Sequence, residues 1–286
     1  MENKRIMMKA IFIVSFMLLT ACGSIASDKL GYTVETEFNL AGDLAETSGL
    51  YCPASDTIFT INDSGNSPTI YQLNTSGEIV RRQDLDKKNQ DWEAITGDND
   101  NFYVGDIGNN NGKRAFVEIL VINKQNQVPA ITKVLKLSYA NNNIENNEYL
   151  KHDFDAEALV SADDELLLFS KSWQSTVSHV YKIEPSLAEQ VVSPIASIDG
   201  LPGVVTGIDF NKSSKQFTVV GYSVSGFGKF SPFIALLDRR FNVVATYPLD
   251  GFNQVEGVCV SPTGEVWISQ ESSFFSTHKL AKLKFR

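Results

Sequence analysis

The chain of 286 residues carries 34 acidic against 25 basic side chains, which gives a formal net charge of −9. An acidic surface repels phosphate backbones, so this balance argues against nucleic acid as a partner and is compatible with cation binding. Residues 31–286 suit a single all-β domain, because no Pro- or Ser-rich linker divides them and helical periodicity is hard to find.

The first 21 residues have the layout of a secretory signal peptide. Three basic residues flank the start of an apolar stretch at 10–19, and small residues follow it. The apolar stretch is too short to prefer spanning a bilayer as a mature helix. We therefore expect residues 1–21 to be removed on export.

The signal ends in Leu19-Thr20-Ala21-Cys22, which resembles the lipobox of bacterial lipoproteins. The resemblance implies cleavage before Cys22, acylation of its sulfur and amine with palmitate among the chains, and stable anchoring in a lipid bilayer. No Asp follows Cys22, so in a Gram-negative cell the resemblance favours the outer membrane, at its periplasmic or surface face. Residues 22–30 are then the acylated cysteine and a tether. The alternative is an ordinary secreted protein with a chance cysteine.

A short triplet recurs five times after residue 30: a polar residue, then Gly or Ala, then an aliphatic residue. The polar positions are Ser48, Glu93, Glu157, Thr206 and Glu256, at spacings of 45, 64, 49 and 50 residues. Each triplet opens a strand that leads through a polar turn into a second and a third strand. A fourth strand follows in the first four units, and in the third unit we expect it within 189–198.

The fifth unit ends at Arg286 without a fourth strand, whereas an unassigned strand, Tyr32 to Leu40, precedes the first unit. A circular array closes when this strand completes the last sheet. The sequence therefore predicts a monomeric β-propeller of five four-stranded blades, closed by the N-terminal strand. The alternative is a sixth blade within 123–151, where apolar residues are too few for two more inner strands.

The turn into the first strand of a blade and the turn out of its second strand lie on the same face of such a ring. Polar side chains from every blade are therefore expected at one central mouth. The expected metal ligands are Glu46, Asp63, Asp91, Glu93, Asp106, Asp155, Glu157 and Glu256, and Lys171 is the basic residue among them. Ser48, Trp173, Thr206, Tyr222, Gln254 and Glu271 are expected nearby.

Carboxylates held this close cannot all stay ionised without a counter-charge. Ca²⁺ suits oxygen-only ligands from several loops, and no His or Cys joins the set to favour zinc or copper. A purely structural reading stays open, because a Glu at the start of an inner strand can accept N–H bonds from neighbouring blades. A catalytic reading also stays open, with Glu93, Glu157 or Asp106 as general base and Lys171 as a counter-ion or an anion-binding group.

Cys52 and Cys259 lie in the first strands of the first and last blades, which become neighbours when the ring closes. They stand four and three places after the polar residue of their triplets, so their side chains have opposite parity and point towards each other. We expect a disulfide between them in an oxidising envelope compartment. The alternative is that both are small buried hydrophobic residues.

The stretches ETSGL, DWEAI, GDIGNN and DAEAL resemble motifs of bacterial secreted propellers related to the SdiA-regulated and phytase-like esterase families. The resemblance is good from Glu46 to Trp173 and weak over the last two blades. It implies a propeller with a site at the mouth, often a calcium site, and it implies no reaction. The related calcium-dependent phosphatases have six blades and many basic residues, whereas here only Lys171 and Arg114 fit that part. Thr206 replaces an acid in the fourth blade.

Two functions follow as hypotheses. The first is a binding module tethered to the outer membrane, whose mouth takes a protein or a small-molecule ligand, with or without Ca²⁺. Its partner contacts would include the long segment around Asn141 to Glu148. The second is a metal-dependent hydrolase of an ester, a lactone or a phosphoester.

Overall fold

The computed structural model describes residues 31–125, 130–226, 228–273 and 276–286. The predicted signal and tether, and with them Cys22, lie outside these residues. Within them the protein is all-β apart from one 3-10 turn at Gly42–Leu44. No helix in the described part of the chain has the length and apolar character needed to cross a membrane.

Twenty-one strands are formed by the described residues. In chain order they are β1 (Tyr32–Asn39), β2 (Thr47–Ala54), β3 (Thr57–Asn62), β4 (Thr69–Leu73), β5 (Ile79–Asp84), β6 (Trp92–Gly97), β7 (Asn101–Asp106), β8 (Val117–Asn123), β9 (Ile131–Tyr139), β10 (Ala156–Ala162), β11 (Glu165–Ser170), β12 (Ser178–Ile183), β13 (Glu189–Val192), β14 (Ala196–Ile198), β15 (Val204–Asn211), β16 (Gln216–Val224), β17 (Phe230–Leu237), β18 (Val243–Pro248), β19 (Val255–Val260), β20 (Val266–Gln270) and β21 (Lys279–Phe285).

These strands form five sheets, the blades of a β-propeller. Blade 1 is β2–β5, blade 2 is β6–β9 with one added strand, blade 3 is β10, β11, β12 and β14, and blade 4 is β15–β18. Blade 5 joins β19–β21 to the N-terminal strand β1, which pairs antiparallel with β21 from Tyr32 opposite Phe285 to Asn39 opposite Lys279. The prediction of five blades closed by the N-terminal strand is confirmed, and the six-bladed alternative is wrong.

The outer strand of blade 3 differs from the prediction. The expected strand at 189–198 is divided, so that β13 pairs in parallel with β9 of blade 2, and β14 pairs with β12 in blade 3. Pro194 lies between the two pieces, and a proline has no N–H to donate to a continuous ladder. The divided segment therefore spans the rim from blade 3 to blade 2 and links the two blades.

The inner strands of the five blades share a bulge that the sequence pattern does not reveal. Register breaks occur between Ser48 and Leu50, Trp92 and Ala94, Ala156 and Ala158, Val205 and Gly207, and Val255 and Gly257. Each break falls at the polar residue of the triplet or directly after it. Because a bulge re-aims the side chain beside it, the five polar residues leave the ordinary alternation of a strand.

The small residue of the triplet permits close approach of neighbouring inner strands. A Cβ at Gly257 would lie 2.4 Å from Ser269 Oγ and 2.8 Å from Leu50 Cγ, and a Cβ at Gly207 would lie 2.9 Å from the Glu256 carbonyl oxygen. Real Cβ atoms do not approach other heavy atoms so closely. Glycine is therefore required at these two positions, where the inner strands of adjacent blades meet.

The aliphatic residue of the triplet seals the axis. These residues are buried and surround a void of about 10 Å³, which has room for about one water molecule. They are Leu50, Ile95, Leu159, Ile208 and Val258. The two ends of the ring are therefore separated by an apolar layer.

In the structure Cys52 and Cys259 are joined as a disulfide, and their Cα atoms lie 5.5 Å apart. The bond connects the inner strands of blades 1 and 5, which is the pairing that strand parity predicts. Ring closure thus has a covalent link near the axis and a hydrogen-bonded strand pair at the rim. A cross-link over a sequence separation of 207 residues restricts the unfolded chain strongly.

We expect Gly257→Val to lower the free energy of unfolding by about 1–3 kcal/mol, because the new side chain would overlap Ser269 and Leu50. Denaturant unfolding measures the loss. Gly42→Ala is the control, since no atom lies within 4 Å of a Cβ added there, and its effect should stay within about 0.5 kcal/mol. Equal effects of the two substitutions would contradict the close-approach explanation.

Candidate functional site

One end of the axis opens into a cavity of about 170 Å³, here called the mouth. The residues that line it are Ser48, Asp63, Glu93, Asn110, Tyr149, Leu150, Glu157, Lys171, Trp173, Tyr222, Gln254, Glu256 and Glu271. All five blades contribute, as the repeat predicts. Among these lining residues five carboxylates face a single lysine, so the mouth carries an excess of negative charge.

Asp63, Asp91 and Glu93 form the tightest acidic group, here called the acid triad. Each offers a carboxylate oxygen, and these oxygens lie within 4.8 Å of one another. Oxygens bound 2.3–2.6 Å from one Ca²⁺ lie no more than about 5 Å apart, so the spacing fits a shared ion. None of the three forms an ion pair within the described part of the chain, whose ion pairs involve other carboxylates.

The loop after β7 passes directly against the triad. A Cβ at Gly108 would lie 2.4 Å from Asp91 Oδ2 and 2.5 Å from Glu93 Oε1. Any larger residue would therefore fill the space in front of the two carboxylates. This explains why position 108 of the GDIGNN stretch is glycine: without a side chain there, the space in front of the two carboxylates stays open.

Burial raises the pKa of the carboxyl groups around the mouth, because the charged form loses its hydration. The pKa of Asp91 rises to about 6 and that of Glu271 to about 9, with burial as the largest cause and nearby carboxylates next. Burial first and the Glu157 charge second raise the pKa of Glu93 well above its ordinary value. Without a cation, the mouth therefore retains protons on some of its carboxyl groups at neutral pH.

Lys171 is the internal counter-charge of the mouth. Its ammonium group pairs with Glu157, donates to the Tyr222 hydroxyl at 3.0 Å and lies 4.8 Å from the centre of the Trp173 ring. Burial alone lowers the pKa of Lys171, but the charge of Glu157 and further acids raise it above the ordinary value, so this lysine stays protonated.

Glu157 is only partly satisfied by this pairing. Its side chain is buried, and Oε2 has no hydrogen-bond partner among the described residues. Burial raises the pKa of Glu157 well above its ordinary value, while Lys171 opposes that shift. Glu157 thus lines the mouth and has one buried carboxylate oxygen without a partner among the described residues.

A third group of polar atoms comes from blade 5. The Gln254 amide donates to Glu256 at 3.4 Å and to Glu271. One amide is therefore shared by two buried acids, and a proton on Glu271 relieves their repulsion. Of the five polar triplet residues, Thr206 does not line the mouth, because its hydroxyl donates to the Val255 carbonyl at 2.6 Å.

Asp106 does not line the mouth, contrary to the sequence expectation. It is buried beside Arg114, with an N–O distance of 2.8 Å, and accepts the Gln90 N–H at 3.3 Å. The expectation is displaced by one residue. The N–H of Ile107 donates to the Asp91 carbonyl, just as the N–H of Lys171 donates to the Asp155 carbonyl in blade 3. Ile107 is therefore the blade 2 equivalent of Lys171, but it is buried in the apolar core and does not line the mouth.

Asp155 and Glu46 also lie apart from the cavity. Asp155 is fully buried and accepts the Asn109 N–H at 2.6 Å and the Trp173 indole N–H at 2.8 Å, so it braces the loop of blade 2 against blade 3. Glu46 is exposed and accepts the Asn66 amide at 2.5 Å. The contacts of both residues fit the structural reading.

Three lining residues, Asn110, Tyr149 and Leu150, are absent from the sequence expectations. Asn110 lies in the loop between β7 and β8, and Tyr149 and Leu150 lie in the connection from β9 to β10, which is longer than the connections between the other blades. A repeat pattern gives no signal for such insertions. The Tyr149 side chain is 63% exposed and lines both the mouth and a neighbouring cavity of about 500 Å³ that Asp91 also faces.

A family model described as SdiA-regulated matches residues 24–168. No curated protein matches the chain. Among solved structures, a streptogramin B lyase is 17% identical over 88% of this chain and 69% of its own, with a TM-score of 0.42.

Two further solved structures are similar to this chain over most of its length, at comparably low sequence identity. A putative oxidoreductase (glucose dehydrogenase) from Thermus thermophilus is 11% identical over 87% of this chain and 99% of its own, with a TM-score of 0.48. A chain of a mitotic checkpoint complex is 13% identical over 94% of this chain and 82% of its own, with a TM-score of 0.41. Similarities at this level bear on neither activity nor ligand.

Without a cation, we expect the free energy of unfolding to fall as the pH rises from about 5 to 9. The folded protein keeps the Glu271 proton up to its pKa of about 9, whereas an unfolded Glu ionises near pH 4.3. The folded state then binds more protons across this window, so rising pH favours unfolding. Glu271→Gln should flatten the fall, as measured by urea unfolding in EDTA at several pH values.

The control for this measurement is Glu189→Gln on the exposed strand β13, where the side chain is 79% exposed. It should leave the pH dependence unchanged. A slope that is the same in the Glu271→Gln protein would contradict a protonated Glu271 in the mouth.

Proposed function

The chain belongs to the SdiA-regulated family, and we propose that it is a binding module whose mouth holds a hard divalent cation, with Ca²⁺ as the expected ion. The observation that carries this proposal is the acid triad, whose three carboxylate oxygens lie within 4.8 Å of one another. The donors are all oxygen atoms, which is the chemistry that Ca²⁺ prefers and zinc sites rarely use alone.

Electrostatics supports the proposal. Carboxylates removed from water need a counter-charge or a proton, and the basic residues close to the triad already have partners. Lys171 pairs with Glu157, and Arg114 pairs with Asp106. A bound cation would replace the protons that burial retains on the triad and would turn mutual repulsion into attraction.

The size of the mouth limits the ligand. At about 170 Å³ it is smaller than the cavities that enclose whole drug-sized molecules. Ca²⁺ takes six to eight oxygen ligands, so three carboxylates leave positions that face the cavity. We propose that a partner inserts an oxygen-bearing group there, while its larger part contacts the surrounding loops, including Tyr149.

Location is part of the proposal. The signal at 1–21, the lipobox and the tether at 22–30 support export, acylation of Cys22 and retention at the outer membrane. The mouth would then be displayed at the cell envelope.

We expect Ca²⁺ to raise the melting midpoint of the chain from Ser24 onward by several degrees relative to EDTA, because an ion that binds only the folded state stabilises it. Asp63→Asn and Glu93→Gln should each abolish the rise, since each removes a triad carboxylate. Differential scanning calorimetry measures it.

Asp164→Asn is the matched control, because Asp164 is an exposed acid in the turn between β10 and β11, outside the triad. It should keep the full response to Ca²⁺. Absence of a response in the unmodified chain would mean that the acids serve the ring alone.

A second candidate function is a metal-dependent hydrolase of esters, lactones or phosphoesters. The observation in its favour is Glu157, which is buried at the lining of the mouth with Oε2 unpartnered among the described residues. A carboxylate in that position can accept a proton from an attacking water, and a cation at the triad would supply a Lewis acid.

We expect Glu157→Gln to abolish turnover of any ester, lactone or phosphoester that the chain hydrolyses in Ca²⁺, while leaving the Ca²⁺ response in melting intact. A substrate panel assayed with Ca²⁺ and with EDTA makes the measurement. Glu256→Gln, at the equivalent position of blade 5, is the control and should retain turnover. No turnover across the panel in a folded, Ca²⁺-responsive protein would exclude this second function.

A further inference from the structure

The face of the ring opposite the mouth holds a second, larger cavity of about 400 Å³, here called the basal cavity. It lies at the far ends of the inner strands, with Tyr51, Lys124 and Lys212 in its lining. The aliphatic layer on the axis separates it from the mouth. Its volume falls in the range of small-molecule sites.

Both aspartates that line the basal cavity are satisfied by internal donors. Asp209 accepts the Val260 N–H at 2.7 Å and the N–H of its own neighbour at 2.8 Å. Asp98 accepts two backbone N–H groups at 2.7 and 2.8 Å and the Tyr103 hydroxyl at 2.6 Å. These carboxylates hold turns and adjacent blades together, and neither forms an ion pair with a lysine of the described chain.

Lys124 is held by neutral groups. Its ammonium donates to the Tyr51 hydroxyl at 2.9 Å and to the Asp98 carbonyl, and it lies 4.6 Å from the centre of the Tyr51 ring and 4.9 Å from that of Phe102. A Cβ at Gly97 would lie 2.8 Å from this nitrogen, so the glycine makes room for it. The position of the charge is thus built by the fold.

The two lysines of the cavity lack a carboxylate partner among the described residues. Burial lowers the pKa of Lys124 to about 8; the charge of Asp98 opposes that shift, and the charge of Lys212 acts in the same direction as burial. Lys124 uses two of its three ammonium donors on the Tyr51 hydroxyl and the Asp98 carbonyl, so one N–H stays available to an anion in the cavity. The rest of the wall includes the apolar surfaces of Pro53, Phe210 and Pro262.

We propose that the basal cavity binds a small organic oxyanion, a carboxylate or a phosphate monoester with a compact apolar body. Its charged oxygens pair with Lys124 and Lys212, and its apolar part lies against the proline and phenylalanine surfaces. The site is independent of the cation proposed for the mouth, because the aliphatic layer on the axis separates the two cavities.

Isothermal titration in EDTA tests the proposal with three probes that share a ring: benzoate, phenyl phosphate and benzylamine. Benzoate or phenyl phosphate should bind, and the stronger of the two identifies the preferred oxyanion. Benzylamine carries the opposite charge on the same ring and should not bind. Inorganic phosphate should bind more weakly than phenyl phosphate, because it lacks the apolar part.

Lys124→Gln and Lys212→Gln should each weaken anion binding by about tenfold or more, since each removes one charge-assisted contact. Lys215→Gln is the matched control, because Lys215 follows in the same turn but pairs with Asp163 at 3.0 Å. The exposed Lys212 position keeps the test valid if the Lys124 variant is unstable. No binding of either anion, equal binding of benzylamine, or affinity that neither lysine substitution changes would overturn the proposal.

Discussion

The whole ring depends on five inner strands meeting around one axis at backbone distance. A Cβ at Gly49 in β2 would lie 2.8 Å from the Ile95 amide nitrogen in β6. On the other side of β2, a Cβ at Gly257 in β19 would lie 2.8 Å from Leu50 Cγ. The polar-small-aliphatic triplet meets this constraint in every blade. Its small residue lets the strands approach, its aliphatic residue seals the axis, and its polar residue lines the mouth in every blade but the fourth. The bulge at the same point re-aims the side chains beside it, so that the three consecutive residues have three different roles.

Closure of the ring also creates the electrostatic character of the mouth. Two of the five polar positions serve the ring: Ser48 donates to the Glu93 carbonyl at 2.9 Å, and Thr206 donates to that of Val255. The glutamates of blades 2, 3 and 5 instead direct carboxylates to the lining of the cavity. The structural reading of the repeat therefore applies to blades 1 and 4, and only blades 2, 3 and 5 are candidates for the ligand-binding reading. Packing forces acids together in three blades, and a ligand or a proton must compensate them.

The sequence predicts what repeats and misses what occurs once. Five triplets and one spare strand suffice for the blade count and for ring closure, and parity around the triplets suffices for the Cys52–Cys259 pairing. The placement of Asp106 fails because Asp106 pairs with Trp92 as Ser170 pairs with Ala156, one residue before the Lys171 position, and no residue type in GDIGNN marks that difference. The predicted pairing of β13 fails because Pro194 indicates where a strand ends but not that the residues before it pair with another blade. Tyr149 lies in an insertion, where periodicity carries no information.

The apolar seal gives the two ends of the axis separate chemistry. At the mouth, buried acids outnumber the single lysine, and at the base two lysines lie beside aspartates that are already hydrogen bonded. Without the seal, water and ions along the axis would screen both sets of charges. With it, each end keeps its own set of charged groups, and the two cavities share no side chain. Because distant sites without shared partners contribute independently, the cation proposed for the mouth and the anion proposed for the base would bind without coupling.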